Sequence, residues 1–305
     1  MLIGGGVFMS PLQRGSTLAF AGIIILSFDS LLVRLTDSSP WNLLFWRGLM
    51  QAISLLAVLL IFNQKELKQR LLPPPASTLG MGVLFTASTV CFVLSLDHTQ
   101  VASTLVIVNT APLFTAIIAF VVLKEKLPLH TLLAIISAVG GVWLIFAYAP
   151  KTGEIEGDLY AIVTAISTAI YLTVMRYTKG QNAASYMVCA GIMIALFSLY
   201  KGAMPLDIQG MHLVYVMVLG GFIVPASYLC ISQSPKYIPA AQTGLILLLE
   251  ILFGPLFVYL IIGDEPSTND IVGGGLILFT LILHTLWELW LSRYEKASSS
   301  RNKVP

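Results

Sequence analysis

The sequence predicts an all-α integral membrane protein with ten transmembrane helices in two inverted five-helix repeats. Three observations support this fold class: an apolar composition, ten apolar windows of membrane-spanning length, and an internal repeat. Hydrophobic residues make up 57% of the 305 residues and charged residues only 10%, with a mean hydropathy of +0.86. Soluble domains carry about 25% charged residues. Most of this chain is therefore predicted to be surrounded by lipid.

Each apolar window is long enough to cross a bilayer, whose hydrocarbon core of about 30 Å requires about 20 residues of helix. The predicted helices span residues 16–36, 41–62, 78–96, 101–123, 129–148, 157–177, 183–200, 212–232, 239–262 and 270–291. The connections between them are short, so no soluble domain is expected. The polar, basic segment 292–305 is predicted to be a cytoplasmic tail.

The positions of the Lys and Arg residues predict that both termini are cytoplasmic. In this orientation thirteen basic residues lie at cytoplasmic helix ends or loops, and three lie on the opposite side. Those three are Arg34, Lys151 and Lys201, while Arg47 falls within the second helix. An even number of helices is consistent with two termini on one side.

An internal repeat relates residues 15–148 to residues 157–291. Helices one and six match at a constant offset of 142 residues, which pairs Gly15 with Gly157, Ala19 with Ala161, Arg34 with Arg176 and Thr36 with Thr178. Because each repeat contains an odd number of helices, the second repeat must enter the membrane in the inverted orientation. Inverted repeats are typical of secondary transporters, so this pattern predicts a transport function.

Motifs at the ends of both repeats resemble the EamA-type family of the drug/metabolite transporter superfamily. In the first repeat these are Ala102-Ser103-Thr104, Pro112-Leu113-Phe114, Lys124-Glu125-Lys126-Leu127 and Gly140-Gly141. They recur as Ala240-Ala241-Gln242-Thr243, Pro255-Leu256-Phe257, Gly263-Asp264-Glu265-Pro266 and Gly273-Gly274-Gly275, and helix two carries Phe45-Trp46-Arg47. The resemblance covers residues 15–290 and implies metabolite transport, in a bacterial inner membrane, without specifying a substrate.

Ionisable side chains at bilayer depth cost at least ~2.5–3.5 kcal/mol each, so they mark candidate site residues. Glu250 lies at the centre of helix nine, between Leu-Leu-Leu and Ile-Leu-Phe. It is predicted to bind substrate or a coupling proton. The alternative is a protonated carboxyl group that only bonds to a neighbouring helix. Its counterpart in helix four is Asn109 or Thr110, and Asn109 is therefore a second candidate substrate ligand.

Helices one, two and six supply three further candidates. Asp29, beside Ser27, is predicted to bind substrate or couple protons, or else to form an interhelical hydrogen bond or salt bridge. Tyr171 is its counterpart at the repeat offset and offers a hydroxyl group at mid-depth. Arg47 has three possible arrangements: a gate with Asp29, a ligand for a substrate carboxylate, or a side chain that extends towards the membrane surface.

Prolines in helices four and nine are candidates for gating. A proline inside a helix frees a carbonyl group and bends the helix, so Pro112 and Pro255 are predicted either to allow a gating motion or to fix a static bend. The three cysteines are far apart in apolar sequence, which predicts neither disulfide nor metal site. No enzyme motif is present, and no cofactor or nucleic acid partner is expected.

These residues favour a secondary-active transporter of small polar metabolites that works by alternating access. Two acids and one Arg suit a zwitterion or an organic cation, and export of amino acids or related metabolites is the first hypothesis. The alternatives are uptake or exchange of amines or nucleoside-like compounds and, from another class, a non-transporting membrane scaffold or receptor. The expected partners are the substrate, membrane lipid and a proton or counter-substrate, with the chain a monomer or homodimer.

Overall fold

A computed structural model describes residues 10–36, 38–71, 74–98, 104, 107–125, 127–146, 155–262 and 268–301. Every regular element within these residues is a helix. The α-helices are α1 Pro11–Leu26, α2 Phe28–Thr36, α3 Pro40–Phe62, α4 Gln64–Arg70, α5 Ala76–His98, α6 Ala111–Leu123, α7 Leu129–Phe146, α8 Ile155–Tyr177, α9 Ala183–Tyr200, α10 Gly210–Val218, α11 Val224–Gln233, α12 Ala240–Leu247, α13 Glu250–Ile262 and α14 Thr268–Arg301. A π-helical segment, Leu219–Ile223, joins α10 to α11.

The length and composition of these helices place the chain in a membrane. Six spans are long and apolar enough to cross one: Pro11–Val33, Pro40–Phe62, Ala76–Ser95, Ile155–Tyr177, Ala183–Tyr200 and Gly210–Lys236. Shorter apolar helices occupy the other predicted windows: Ala111–Leu123, Leu129–Leu144, Ala240–Phe253 and Val272–Trp287. Large apolar side chains such as Phe120 and Phe222 are exposed on the surface. In water such a surface would aggregate, and in a bilayer it contacts lipid.

The two repeats share one core. Helix α3 packs along α9, α5 along α8, and α7 along α14, so each of these pairs joins the first repeat to the second. Small residues permit the close approach of helices in lipid. A Cβ atom at Gly48 would lie 2.7 Å from the carbonyl oxygen of Gly191, and one at Gly191 would lie 2.6 Å from that of Gly48. Movement of one repeat therefore requires these pairs to slide or tilt.

Helix one begins at Pro11, five residues before its predicted start, and two further boundaries also differ from the sequence prediction. The loop after α3 contains the short helix α4, whose first turn is capped by the side chain of Asn63. Glu66 in this helix accepts a hydrogen bond of 2.6 Å from the hydroxyl group of Ser185, which fixes α4 against the start of α9. At the other boundary, α14 continues to Arg301, ten residues beyond its predicted end. The first part of the tail is therefore helical.

Three of the predicted membrane helices are interrupted near their middles. Helix one changes direction at Ser27, between α1 and α2. Helix four has a turn at residues 109–110, directly before α6. Helix nine has a turn at residues 248–249, where the N–H groups of Leu248 and Leu249 donate to carbonyl oxygens three residues earlier. This i to i−3 pattern is 3₁₀ winding, which in the middle of a helix often marks a hinge.

Candidate functional site

A central cavity of about 100 Å³ lies where the three interrupted helices meet. Asp29, Asn109 and Glu250 line it, each within two residues of an interruption. An interruption leaves backbone polar groups without helical partners, and in membrane proteins such groups occur where they line a cavity. The fold thus brings these three residues together with two further predicted site residues, Arg47 and Pro112, which also line the cavity.

The interruption in helix one positions Asp29. The hydroxyl group of Ser27 donates a hydrogen bond of 2.7 Å to the carbonyl oxygen of Ile23, and bonding of this kind bends helices. Helix α2 then begins at Phe28, so Asp29 lies in its first turn. The amino end of a helix carries a partial positive charge, which favours a carboxylate there. The hydrogen bond of Ser27 and the start of α2 therefore fix the position of Asp29.

Arg47 on α3 forms a two-pronged salt bridge with Asp29. Its Nη1 atom donates to Oδ1 at 2.9 Å, and its Nη2 atom donates to Oδ2 at 2.7 Å. Both side chains are almost fully buried, at 6% and 9% exposure for Arg47 and Asp29 respectively. Of the three arrangements open to Arg47 from the sequence, the structure shows pairing with Asp29. The Nε atom of Arg47 is buried without a hydrogen-bond partner among the described residues.

Close packing against the π-helical segment sets the depth of Arg47. A Cβ atom at Gly220 would lie 2.6 Å from the carbonyl oxygen of Arg47 and 2.8 Å from its Cα atom. Directly after the segment ends, the N–H group of Val224 donates a hydrogen bond to the carbonyl oxygen of Leu219, five residues earlier. π-helical turns of this kind occur frequently at functional sites.

Helix four contributes Asn109 and Pro112 to the cavity wall. The hydroxyl group of Thr110 donates a hydrogen bond of 2.6 Å to the carbonyl oxygen of Ile107, which stabilises the turn. Pro112 occupies the second position of α6, where its missing N–H group costs no helical hydrogen bond. The amino end of α6 therefore faces the cavity, since Ala111 also lines it.

Glu250 is the first residue of α13 and is partly accessible from the cavity. Among the described residues it forms no hydrogen bond and no ion pair, in contrast to Asp29. The two acids of the cavity therefore differ: Asp29 is paired with Arg47, whereas Glu250 lines the cavity without such a pairing among the described residues.

Tyr171 lies behind the cavity wall and does not line it. Its ring packs against Phe85 at 5.6 Å and against Tyr228 at 6.2 Å between ring centroids. Tyr228 on α11 lines the cavity instead. It is one of eleven tyrosines, and no feature of the sequence distinguishes it from the others.

Hydroxyl groups from α5 and α8, which were not predicted from the sequence, form another part of the cavity wall. Ser88, Thr164 and Thr168 line the cavity. The hydroxyl group of Thr164 donates to the carbonyl oxygen of Ser88 at 3.2 Å, and the hydroxyl groups of Ser88 and Thr168 lie 3.4 Å apart. Single Ser and Thr residues are common in membrane helices, so only their convergence in three dimensions marks them as site residues.

The second gating candidate, Pro255, has a different position from Pro112. It lies at the sixth residue of α13, and the helix continues through it. The interruption of helix nine precedes it by several residues and contains neither Pro nor Gly. The two prolines are thus related in sequence but not in their distance from the interruptions.

An ion pair joins helix ends at one end of the bundle, which we call the proximal end because α1 begins there. The Nε atom of Arg176 donates to Glu125 Oε1 at 2.7 Å, and its Nη1 atom donates to the carbonyl oxygen of Pro235 at 2.8 Å. These contacts join the end of α8, the end of α6 and the turn before α12. Within the described residues no group of His, Cys, Asp and Glu has metal-site geometry.

Comparison with known proteins extends these observations. The model of the EamA-like transporter family matches residues 13–147 and again residues 155–286. An uncharacterized transporter of Clostridium kluyveri is 26% identical over 244 residues, which cover 74% of this chain and 77% of that protein. An uncharacterized transporter of Archaeoglobus fulgidus is 21% identical over 213 residues, covering 69% and 76% respectively.

A solved crystal structure has the same fold. It superposes with a TM-score of 0.77, covering 91% of this chain and 98% of the other, at 16% sequence identity. At that identity the likeness concerns the arrangement of the helices alone.

Proposed function

The chain belongs to the EamA-like transporter family, and from this premise we propose that it is a secondary-active exporter of amino acids or related small polar metabolites. The proposal includes alternating access to the central cavity. It places the protein in a bacterial inner membrane with both termini in the cytoplasm, as the distribution of basic residues predicts.

The observation that carries the proposal is the unpaired carboxyl group of Glu250 beside the buried salt bridge between Asp29 and Arg47. A substrate ammonium group would pair with Glu250. A substrate carboxylate would meet the amino end of α6, because Ala111 and Pro112 line the cavity. Half-helix amino ends bind anionic substrate groups in other transporters. The cavity thus offers complementary charges for both ends of a zwitterion.

Both acids were predicted as proton-coupling candidates, and in this proposal Glu250 takes that role in preference to Asp29. Asp29 is held by two hydrogen bonds from Arg47, and its protonation would leave a buried guanidinium group without a partner, which is costly. Among the residues that the structure describes, Glu250 has no such partner. A proton and a substrate ammonium group would compete for its carboxylate, which is the simplest form of exchange.

Alternating access would use the three interruptions as bending points. The contacts of Arg176 join three helix ends at the proximal end, and in this proposal they separate when the cavity opens towards that end. The inverted relationship of the repeats supplies an equivalent movement for the opposite end. In this proposal Pro112 lies at the bending point of helix four. Pro255 lies beyond the bending point of helix nine, where it stiffens or bends α13.

A ligand screen followed by a flux assay tests the proposal. The purified protein is heated with amino acids, amines, nucleosides and sugar phosphates. A ligand at 100 times its dissociation constant adds about 2.7 kcal/mol of stability. Counterflow of each stabilising compound is then measured in proteoliposomes. The stabilisation and the counterflow of an amino acid should both be lost in Glu250→Gln, while Asp207→Asn, which alters an exposed acid near the end of α9, should retain them.

Uptake or exchange of an amine is the second candidate. It is favoured by one observation: the Arg of the cavity is already paired with Asp29, so the net free charge is that of Glu250. Amines would then stabilise the protein more strongly than amino acids of equal size. A folded protein that binds none of these compounds and shows no counterflow would support the scaffold or receptor alternative instead.

A further inference from the structure

A second cavity, which we call the lateral groove, lies on the surface of the bundle between α3, α5, α8 and α9. Its volume is about 550 Å³. Helix α5 separates it from the central cavity: Ser88 and Phe92 face the central cavity, whereas Ala87, Val90 and Cys91 line the groove. The groove is therefore distinct from the transport site but shares a wall with it.

The length of the groove matches one leaflet of a bilayer. Along α5 it extends from Val83 to His98, and at 1.5 Å per residue this distance is about 22 Å. A bilayer is about 40–45 Å thick with its headgroups, so one leaflet with its headgroup layer is about 20–22 Å. The groove thus runs from headgroup level to near the bilayer midplane.

The inner part of the groove is apolar. Val83, Ala87, Val90 and Leu94 form its wall on α5. The hydroxyl group of Thr86 is not available to a ligand, because it donates a hydrogen bond of 3.3 Å to the carbonyl oxygen of Ala190. This part of the groove suits a hydrocarbon chain.

Polar groups of both charges are confined to the other end of the groove. Lys201 lines it, with its Nζ atom 5.7 Å from the centre of the Phe197 ring. His98 also lines it, 3.8 Å from the carboxylate of Asp97. The hydroxyl group of Tyr160, a third lining residue, donates to Glu156 at 2.9 Å. Lys201 therefore lines this end of the groove, and two carboxylates lie beside it, each in contact with a lining residue.

Trp41 completes this end. Its ring packs edge-on against Phe197 with 6.0 Å between centroids, and the rings of His98 and Tyr160 are 5.7 Å apart. Trp and Tyr are enriched at the level of lipid headgroups. The polar end thus has the composition of an interfacial binding site.

We propose that the lateral groove binds one glycerophospholipid with a phosphoethanolamine headgroup. One acyl chain lies along α5, the phosphate pairs with Lys201, and the primary ammonium group donates hydrogen bonds to the carboxylates of Asp97 and Glu156. A purely anionic headgroup would be repelled electrostatically by those carboxylates. A choline headgroup has no N–H group to donate to them.

Native mass spectrometry of the delipidated full chain tests this proposal with synthetic phosphatidylethanolamine, phosphatidylcholine and phosphatidylglycerol of matched acyl chains. We expect one phosphatidylethanolamine per protomer to be retained at collision energies that remove the others. Lys201→Ala should weaken retention about tenfold, because a charge-assisted contact is lost. Ala87→Trp should abolish it by filling the groove.

Lys236→Ala is the matched control. It also removes a lysine placed over an aromatic ring, 5.4 Å from the Tyr237 centroid, but at the proximal end. Melting temperatures show that each variant is folded. Equal retention by all variants would mean that the lipid binds elsewhere, and preferential retention of phosphatidylglycerol would contradict the assigned headgroup. Displacement of the lipid by a transported compound would assign the groove to substrate and overturn the proposal.

Discussion

Gly220 and Arg47 are in direct contact: a Cβ atom at Gly220 would lie 2.6 Å from the carbonyl oxygen of Arg47. The glycine therefore allows the π-helical segment to approach α3 at the level of the salt bridge. Arg47 is positioned by the backbone of a helix from the other repeat, and a change at Gly220 should reach Asp29 through it.

Replacing this glycine tests the contact. Gly220→Ala should lower the free energy of unfolding by about 1–3 kcal/mol, as overpacking of a core does, despite the higher helix propensity of Ala. Gly221→Ala is the control, since its Cβ atom would have only the Cβ of Met50 within 4 Å, at 3.9 Å. The control should be neutral or slightly stabilising. Thermal unfolding in detergent measures both, and equal effects would contradict the contact.

The salt bridge between Asp29 and Arg47 predicts a strong coupling. Asp29→Asn or Arg47→Gln alone leaves one buried charge without its partner, which costs about 3–5 kcal/mol. The double variant removes both charges and should be more stable than either single variant. A double-mutant cycle of unfolding free energies gives the coupling directly. Additive effects would show that the two side chains act independently.

The positions of two tyrosines predict different consequences for transport. Tyr228→Phe removes a hydroxyl group from the cavity wall and should raise the KM of counterflow. Tyr171→Phe removes one from behind the wall and should change stability more than KM. The two variants serve as controls for one another, because their rings are in contact. A larger KM effect at Tyr171 would restore the role predicted from the sequence.

The ion pair at the proximal end should restrict access to the cavity. In a background in which Cys91, Cys189 and Cys230 are replaced, Thr168→Cys places a thiol on the cavity wall. Arg176→Gln should increase the rate at which an impermeant thiol reagent added from the proximal side labels this cysteine. Lys179→Gln, a nearby charge removal outside the contact, should leave the rate unchanged. Unchanged labelling in both variants would mean that another contact closes this end.

The sequence predicted the helical windows and the depth of Glu250 because both depend on local composition. Twenty apolar residues specify a membrane helix, and a lone carboxylate among them is conspicuous whatever surrounds it. The family and its two repeats were likewise visible, since Pro-Leu-Phe motifs and matched glycines are local patterns. The membership is confirmed by the match to residues 13–147 and 155–286.

The interruptions and the remaining site residues were not predictable in the same way. Residues 246–251 read Ile-Leu-Leu-Leu-Glu-Ile, a strong helix-forming run, yet the winding tightens at Leu248 and Leu249. Only packing against other helices can impose this. Tyr228 and the hydroxyl groups of Ser88 and Thr168 reach the cavity because of helix rotation, which a single sequence does not encode locally. The repeat offset identified Tyr171. Tyr228, whose ring packs against that of Tyr171, is the tyrosine that lines the cavity.

The tight turn before Glu250 also determines how this helix would respond if it straightened. A 3₁₀ turn advances by 120° per residue and an α turn by 100°, so rewinding about four residues would twist α13 relative to α12 by about 80°. The same change would shorten the segment by about 2 Å, at 2.0 Å of rise per residue against 1.5 Å. Glu250 directly follows this turn and would move with α13. Rewinding would thus rotate α13 about its own axis by nearly a quarter turn, and this rotation would move the carboxylate of Glu250 to a different side of the helix.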